Sequence, residues 1–428
     1  MMMKTRRRAG SLLSVAVLAG VLAAVPQGAF ANEPNCGTSG SSTVCVTLPA
    51  STLTGATTIG VTVTFPSGRA PVIVTWVPSG RPDIYLMTKS KPSPEFGDYS
   101  FVWPTQKYLD GSGVLRVQVG STAATPVDTL VTLSNGNTTD FQHSLSNWGS
   151  YLPGAWSSLA DPVVAAVGDA AADEVNPNTL AATIKATSPA LFLYLGDIAE
   201  QGSFTENLNN YGASALDAPA GTLFGAMASS TQPTLGNHEA GHVVDWTDYW
   251  HGRPEYTSFT FGGVKFLDLD SNASMKRGSP QYLFVQDQLA SSPACVVTYW
   301  HRPTINKSKI AANFKRMWAL LAANGGDLVL NGHVHNMTQY VPLDASLLAT
   351  AGAHMRQLIS GAGGHTLANA SIDPGGHIQW SLGKTTGFLA LTLVGARNRG
   401  MATAINWEFR DINGTRIGAP GSFGSITC

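Results

Sequence analysis

"ALFLYLGDIAE" (residues 190–200) is the stretch on which the reading of the fold turns. An apolar run with the look of a buried strand stops at Gly196 and delivers Asp197, with Glu200 three residues further on. The same event recurs along the chain. "PVVAAVGDAA" (162–171) stops at Gly168 and delivers Asp169, and "PTLGNHE" (233–239) delivers Asn237 and His238. "CVVTYWHRP" (295–303) delivers His301, and "DLVLNGHVH" (327–335) delivers His333 and His335.

Glycine lets a backbone turn sharply as it leaves a sheet, so the next side chain can point across the sheet edge. Helical stretches lie between the runs, and strand-like runs alternating with helices are the signature of an α/β domain. Such sheets place ligands beyond the carboxyl ends of their strands, so these polar groups should converge. Carboxylate, amide oxygen and imidazole form a mixed donor set suited to Zn, Mn or Fe rather than Ca. The carboxylates and histidines exceed the needs of one ion. A bridging carboxylate would let them hold two, about 3.5–4 Å apart as in two-metal hydrolytic sites.

Three helices can be placed around these runs. "NTLAATIKAT" can start with Asn178 as its cap, and "SPQYLFVQDQLA" has Ser279 as cap and Pro280 at the first helical position. "AANFKRMWALLAANGG" puts Phe314, Met317, Trp318 and Leu321 on one side and stops at Gly325.

Residues 44–135 have a different texture. "STVCVTL", "TIGVTVTF", "PVIVTWV", "DIYLMT", "YSFVW", "VLRVQVG" and "DTLVTLS" read as short strands, with turn chemistry such as "PSGR" and "LDGSG" between them. The pattern predicts an antiparallel, immunoglobulin-like β-sandwich over residues 32–145, a linker over 146–161 and the α/β domain over 162–428.

The amino terminus predicts export. "MMMKTRRRAG" is a cationic segment, "SLLSVAVLAGVLAAV" is an apolar run of 15 residues, and "AFA" (29–31) is a small-residue cleavage site. That run is shorter than the roughly 20 residues a bilayer-spanning helix needs. Residues 1–31 therefore read as a signal peptide, with a secreted mature protein and no membrane span. Cys36, Cys45, Cys295 and Cys428 suit an oxidising compartment. Of the three possible pairings, Cys36–Cys45 and Cys295–Cys428 are favoured. A net charge of −1, with 12% of the 428 residues charged, offers no field for a nucleic-acid polymer.

The ordered set GD, GDxxE, GNHE, WHRP and GHVH resembles the calcineurin-like metallophosphoesterase superfamily, including its purple acid phosphatase branch. The resemblance implies an αββα sandwich of two mixed sheets, two divalent or trivalent metal ions (Fe, Zn or Mn), and attack of a metal-held hydroxide on a phosphate ester. Transferred residue by residue, it assigns Asp169, Asp197 and His335 to the first ion. Asp197 bridges, and Asn237, His301 and His333 complete the second. His238 matches the histidine that contacts the phosphoryl group, and Glu239 orients its loop. Two departures stand out. The family completes its first site with a histidine two residues after the first aspartate, or with a tyrosine three residues after the second. This chain has Ala171 and Glu200 at those places, so Glu200 is a further candidate ligand and no tyrosinate colour is expected.

His242 and His251 could line a substrate cleft, as could the "GAGGH" segment (361–365), whereas Trp246, Tyr249 and Trp250 read as packing anchors. No GxSxG occurs, so neither serine nor cysteine offers a supported nucleophile. Three functions are compatible with the pattern. They are a secreted phosphomonoesterase, a phosphodiesterase or nucleotidase with the same centre, and a non-catalytic cell-surface protein with a degenerate site.

Overall fold

The computed structural model describes residues 33–66, 70–81, 84–89, 98–120, 124–138, 153, 160–170, 177–212 and 223–428. The expected signal peptide, most of the expected linker and Ala171 lie outside these residues.

The amino-terminal strands are β1 (Asn35–Ser39), β2 (Ser42–Thr47), β3 (Thr52–Leu53), β4 (Ala56–Thr64), β5 (Val72–Pro78), β6 (Ile84–Lys89), β7 (Asp98–Pro104), β8 (Gly111–Val119) and β9 (Val127–Leu133). They form a sheet of order β1-β2-β4-β7 and another of order β3-β9-β8-β5-β6. Strict alternation builds their common core. Along β4, Ile59, Val61 and Val63 point inward and the residues between them do not, as a period of two requires. They join Val72, Val74 and Trp76 of β5 in one buried cluster, and the Trp76 and Trp103 rings meet across the sheets at 5.2 Å. The seven strands read from the sequence fall on β2 and β4 to β9. Two were missed, because "NCGTS" and "TL" carry no apolar alternation. One of them changes the expected topology: β3 pairs with β9 in parallel, so the sheets are not wholly antiparallel.

The remaining strands are β10 (Val163–Val167), β11 (Leu191–Tyr194), β12 (Thr231–Pro233), β13 (Thr257–Phe261), β14 (Val264–Asp268), β15 (Val296–Tyr299), β16 (Ile305–Asn306), β17 (Lys309–Ile310), β18 (Leu328–Asn331), β19 (Met337–Tyr340), β20 (Arg356–Ser360), β21 (Ile378–Leu382), β22 (Gly387–Val394), β23 (Ala404–Asp411) and β24 (Phe423–Thr427). The helices are α1 (Pro177–Ala186), α2 (Phe204–Tyr211), α3 (Val243–Tyr249), α4 (Pro280–Leu289), α5 (Lys315–Ala323) and α6 (Ala396–Arg399). Two sheets are mixed, with orders β12-β11-β10-β22-β23-β24 and β13-β14-β15-β18-β20-β19-β21. Strands β10, β11 and β12 run parallel, as do β14, β15, β18 and β20.

Both faces of these strands are buried, which explains their unbroken apolar runs. Val164 and Ala166 of β10 pack with Val297 of β15 and Leu330 of β18 between the sheets. Ala165 and Val167 face the other way, onto Leu180 and Ile184 of α1. The second sheet's outer face, with Val296 and Val329, packs on Val285 of α4 and on Met317, Trp318 and Leu321 of α5. Each such aliphatic or aromatic burial contributes about 1.5–3 kcal/mol.

Helix α4 starts as its sequence predicts: Ser279 Oγ accepts the N–H of Tyr282 and Pro280 opens the first turn. Helix α1 starts two residues earlier than its sequence predicts. It opens at Pro177, so Asn178 lies within the first turn instead of preceding it as a cap. The disulfides are Cys36–Cys45 and Cys295–Cys428. No helix among the described residues is long and apolar enough to cross a membrane.

Helix α2 lies against both parts of the chain. Asn209 exchanges hydrogen bonds with the Val102 backbone of β7 (2.7 and 2.8 Å), and Ser203 Oγ donates to the Leu86 carbonyl of β6 at 2.8 Å.

Candidate metal centre

Five strands bring their carboxyl ends to one edge. Strand β10 leads to Asp169, β11 to Asp197, β12 to Asn237, β15 to His301, and β18 to His333 and His335. Glycine makes only part of the turn the sequence reading assigns to it: Gly196 takes a positive φ of 87° after β11, whereas Gly168 and Gly332 do not. Asp169 (φ 57°), Asp197 (φ 55°) and His333 (φ 67°) themselves take the left-handed step, a conformation that side-chain-bearing residues keep only where the surroundings impose it. Apart from Gly196, the glycines contribute mainly room. A Cβ at Gly236 would stand 2.0 Å from Asp197 Oδ1 and 2.6 Å from Glu239 Oε2.

Asp197 sits at the middle. Its Oδ2 lies 3.0 Å from His301 Nε2 and 3.7 Å from His238 Nε2, and its Oδ1 accepts the His238 N–H at 3.0 Å. Fully buried His301 places Nδ1 2.8 Å from the Leu195 carbonyl, so Nδ1 carries the proton and Nε2 faces the cluster. Asn237 Oδ1 lies 3.2 Å from that Nε2 and accepts from Arg302 Nε at 3.3 Å. The His301 and His333 rings are 5.1 Å apart. Among the described residues, Asp197, His301 and His333 are the group of three whose donor atoms all lie within 4.8 Å of one another.

Asp169 and His335 form the flank. Asp169 is fully buried; its Oδ2 accepts the His333 N–H at 2.7 Å. Its Oδ1 lies 3.3 Å from His335 Nε2 yet accepts no hydrogen bond of regular geometry among the described residues. His335 Nδ1 is 3.2 Å from the Thr366 carbonyl. An extended segment would put His333 and His335, two residues apart, on one face. The chain bends there instead, sending His333 toward His301 and His335 toward Asp169.

The electrostatics are those of bases crowded together. Burial lowers the pKa of His301, but the Asp197 carboxylate outweighs it and brings the imidazole to about 9. Burial, and then the charge on His301, push His333 down to about 4. Burial pushes the Asp197 carboxyl up, yet His301 and His238 hold it below the usual range. The Asp197 carboxylate and the His301 imidazole thus attract one another at the place a cation would take. A buried carboxylate oxygen without a hydrogen bond, imidazole nitrogens aimed at carboxylates and an amide oxygen are a donor set that fits such cations.

Two further residues hold this arrangement. Buried Glu239 accepts four backbone N–H groups, from Ile198 (2.6 Å) and Ala199 (3.2 Å) on Oε1, and from Asp197 (3.0 Å) and Gly236 (2.8 Å) on Oε2. Asn272 donates to the Gly236 carbonyl at 2.9 Å, a contact no sequence signal announces. His238 is about one-third exposed (31%), with Nδ1 against the Glu200 carbonyl. The Glu200 carboxylate lies 3.5 Å from His365 Nε2, and no contact joins it to Asp169 or Asp197 among the described residues. His242 pairs with Asp245 at 3.0 Å, and Trp246, Tyr249, Trp250 and His251 are buried.

Residues 162–337 match the family described as calcineurin-like phosphoesterase. A comparison with curated protein sequences finds no match. Solved structures that resemble the chain include a purple acid phosphatase from yellow lupin (Lupinus luteus) seeds, at 14% identity, covering 87% of this chain and 72% of that one, with a TM-score of 0.48. Another is the anchor in the inner membrane complex of Plasmodium, at 14% identity, 63% and 89% coverage, and a TM-score of 0.44. A third is a 5'-nucleotidase from Candida albicans, at 12% identity, 64% and 53% coverage, and a TM-score of 0.33. At these identities and scores the likenesses carry no argument about substrate.

Proposed function

Because residues 162–337 belong to the calcineurin-like phosphoesterase family, we propose that the protein is an exported phosphatase that hydrolyses phosphate monoesters at a two-cation centre. One observation carries the reading: Asp197, His301 and His333 bring their donor atoms within 4.8 Å of one another. Asp169, Asp197 and His335 would hold one cation, and Asp197, Asn237, His301 and His333 the other. Bound there, the cations supply positive charge against the phosphate and lower the pKa of a water from 15.7 toward about 7.

The chain's own groups do the rest. Arg302, beside Asn237 Oδ1 at 3.3 Å, offers a guanidinium whose paired N–H groups match phosphate oxygens. With Nδ1 committed to the Glu200 carbonyl, His238 presents Nε2, and in its protonated form it donates to the departing alkoxide. Asp197, near His238 Nε2 at 3.7 Å, favours that protonated form. Two disulfides support export through an oxidising compartment, in keeping with a signal peptide over residues 1–31. The amino-terminal sheets are read as an immunoglobulin-like domain over residues 32–145, joined by a linker (146–161) to the catalytic domain.

The test is an assay of the purified mature chain on p-nitrophenyl phosphate and its bis ester, after chelation and then with single metals restored. Metal-dependent turnover with the monoester preferred is the expected result. Preference for the diester would replace the substrate class. Inactivity of the fully loaded protein on both would overturn catalysis.

A further inference from the structure

The geometry points to His365 as the missing donor on the Asp169 side of the centre, binding through Nδ1, with Glu200 positioning its ring and not itself binding metal. The inference rests on the two-cation reading above.

Residues 361–366 are fastened to the Asp169 turn by backbone. Gly363 N–H donates to the Gly168 carbonyl at 3.1 Å and His365 N–H to the Asp169 carbonyl at 3.0 Å. The approach leaves no space for a side chain: a Cβ at Gly363 would lie 2.4 Å from the Gly168 oxygen and 2.6 Å from Ala170 Cβ. His365 is therefore held beside Asp169, and its neighbour Thr366 contacts His335 Nδ1 through its carbonyl at 3.2 Å.

The imidazoles repeat on this flank the arrangement found on the other. His335 and His365 have ring centroids 5.2 Å apart at 67°, against 5.1 Å and 74° for His301 and His333. The latter pair shares the tight donor group with Asp197. The donors of Asp169, His335 and His365 are held less closely, forming no such group among the described residues.

The two nitrogens of His365 have distinct environments. Nε2 lies 3.5 Å from Glu200 Oε2, whereas Nδ1 is buried and has no hydrogen-bond partner among the described residues. Metal-ligating histidines commonly give their other N–H to a carboxylate, which fixes the tautomer and the ring orientation. Here that assignment puts the proton on Nε2 and the lone pair on Nδ1. Asp169 Oδ1 is the second buried acceptor on this flank without a hydrogen bond of regular geometry among the described residues. His365 Nδ1 loses its solvation on burial without recovering it, and Asp169 Oδ1 has the His335 ring beside it at 3.3 Å, so a cation held on this flank would satisfy both atoms. His365 thereby takes the place that Ala171 and Glu200 leave open in the sequence.

The experiment is metal stoichiometry. The full mature chain is loaded with Zn(II), freed of excess and measured by elemental mass spectrometry, with circular dichroism as the folding check. Wild type should retain two equivalents and His365→Ala about one. Glu200→Gln should retain two but release one of them at roughly 10–100-fold higher free zinc than wild type. Retention of two equivalents by His365→Ala would overturn the inference while leaving the metal centre standing. A wild-type chain that takes up no zinc would overturn the underlying reading as well. If His365→Ala does not fold, a zinc anomalous map of wild type decides. A peak about 2.1 Å from His365 Nδ1 supports the assignment; zinc on Asp169 and His335 with His365 turned away overturns it.

Discussion

Glu239 holds the turns after β11 and β12 in one posture without facing the reacting atoms. Its four N–H partners include Asp197, a residue at φ 55° whose carboxylate lies at the middle of the cluster. Burial, and then the Asp197 charge, raise its pKa to about 7, yet the surrounding N–H donors favour its ionised form. Glu239→Gln keeps the shape but turns one oxygen into an N–H2 group. In either orientation two backbone N–H groups then face a donor, and each buried unsatisfied group costs about 1–3 kcal/mol. The expected outcome is a chain at least about 2 kcal/mol less stable in urea, with metal affinity lowered at least about tenfold. Unchanged stability and unchanged metal titration would remove Glu239 from this role. Asn237→Ala and His301→Ala act on the cluster itself. Each should nearly abolish turnover while circular dichroism stays native, and substantial turnover in either variant would disprove its part. Most of these groups were legible in sequence because each follows a buried run. Arg302 was visible in "WHRP" but carried no signal of its direction, and "GAGGH" (361–365) was read as a segment that could line a cleft without placing His365 beside Asp169. That placement depends on the 363–365 backbone meeting the Asp169 turn, a contact between distant parts of the chain.

At the scale of elements, local chemistry predicts most where it is self-contained. Ser279 caps α4 through the Tyr282 N–H and donates to the Ser274 carbonyl at 2.8 Å, all within a few residues. Ser279→Ala should therefore lower stability by about 1 kcal/mol. Thermal melting should show a small drop, with turnover on p-nitrophenyl phosphate unchanged. A melting curve identical to wild type would mean that the cap is not limiting α4. Helix α5 was equally legible, because its apolar stripe and terminal glycine are properties of one segment. Elements defined by their partners were not. Strand β3 is two residues long and exists through its parallel pairing with β9, 80 positions away at Thr52 and Thr132. Strand β1 is the other half of the Cys36–Cys45 clip, its register set by pairing with β2. The turns after β10, β11 and β18 were located correctly, but glycine explains only the one after β11, where Gly196 has φ 87°. Glycine marks them, while the following Asp or His bears the left-handed conformation because its carboxylate or N–H is bonded there.

Across the whole molecule, the amino-terminal sheets are joined to the α2–α3 face by a buried ion pair. Lys107 Nζ meets Asp248 Oδ2 at 2.7 Å, with side-chain exposures of 11% and 1%, and the ammonium stands 4.3 Å over the Phe204 ring. Neither end of this pair is readable from sequence, since it links residues 141 positions apart. Its net contribution is small, because desolvating two charges consumes most of their attraction, but removing one partner leaves the other buried with its charge less compensated. Lys107→Met should therefore destabilise the protein by about 3 kcal/mol, and Asp248→Leu by a comparable amount. The double variant replaces both charges by apolar side chains and should lose about 1–3 kcal/mol less than the sum of the two single losses. Urea unfolding followed by tryptophan fluorescence measures all four corners of the cycle. Because the α3 residues Trp246 and Tyr249 pack with Phe204 and Tyr211 of α2 beneath the first mixed sheet, the single variants should also loosen the Asp197 side of the centre. Metal release should then occur at lower urea than in wild type. Strictly additive single losses, with metal release unmoved, would show that the two parts of the chain are held together by other contacts and that the centre does not depend on their junction.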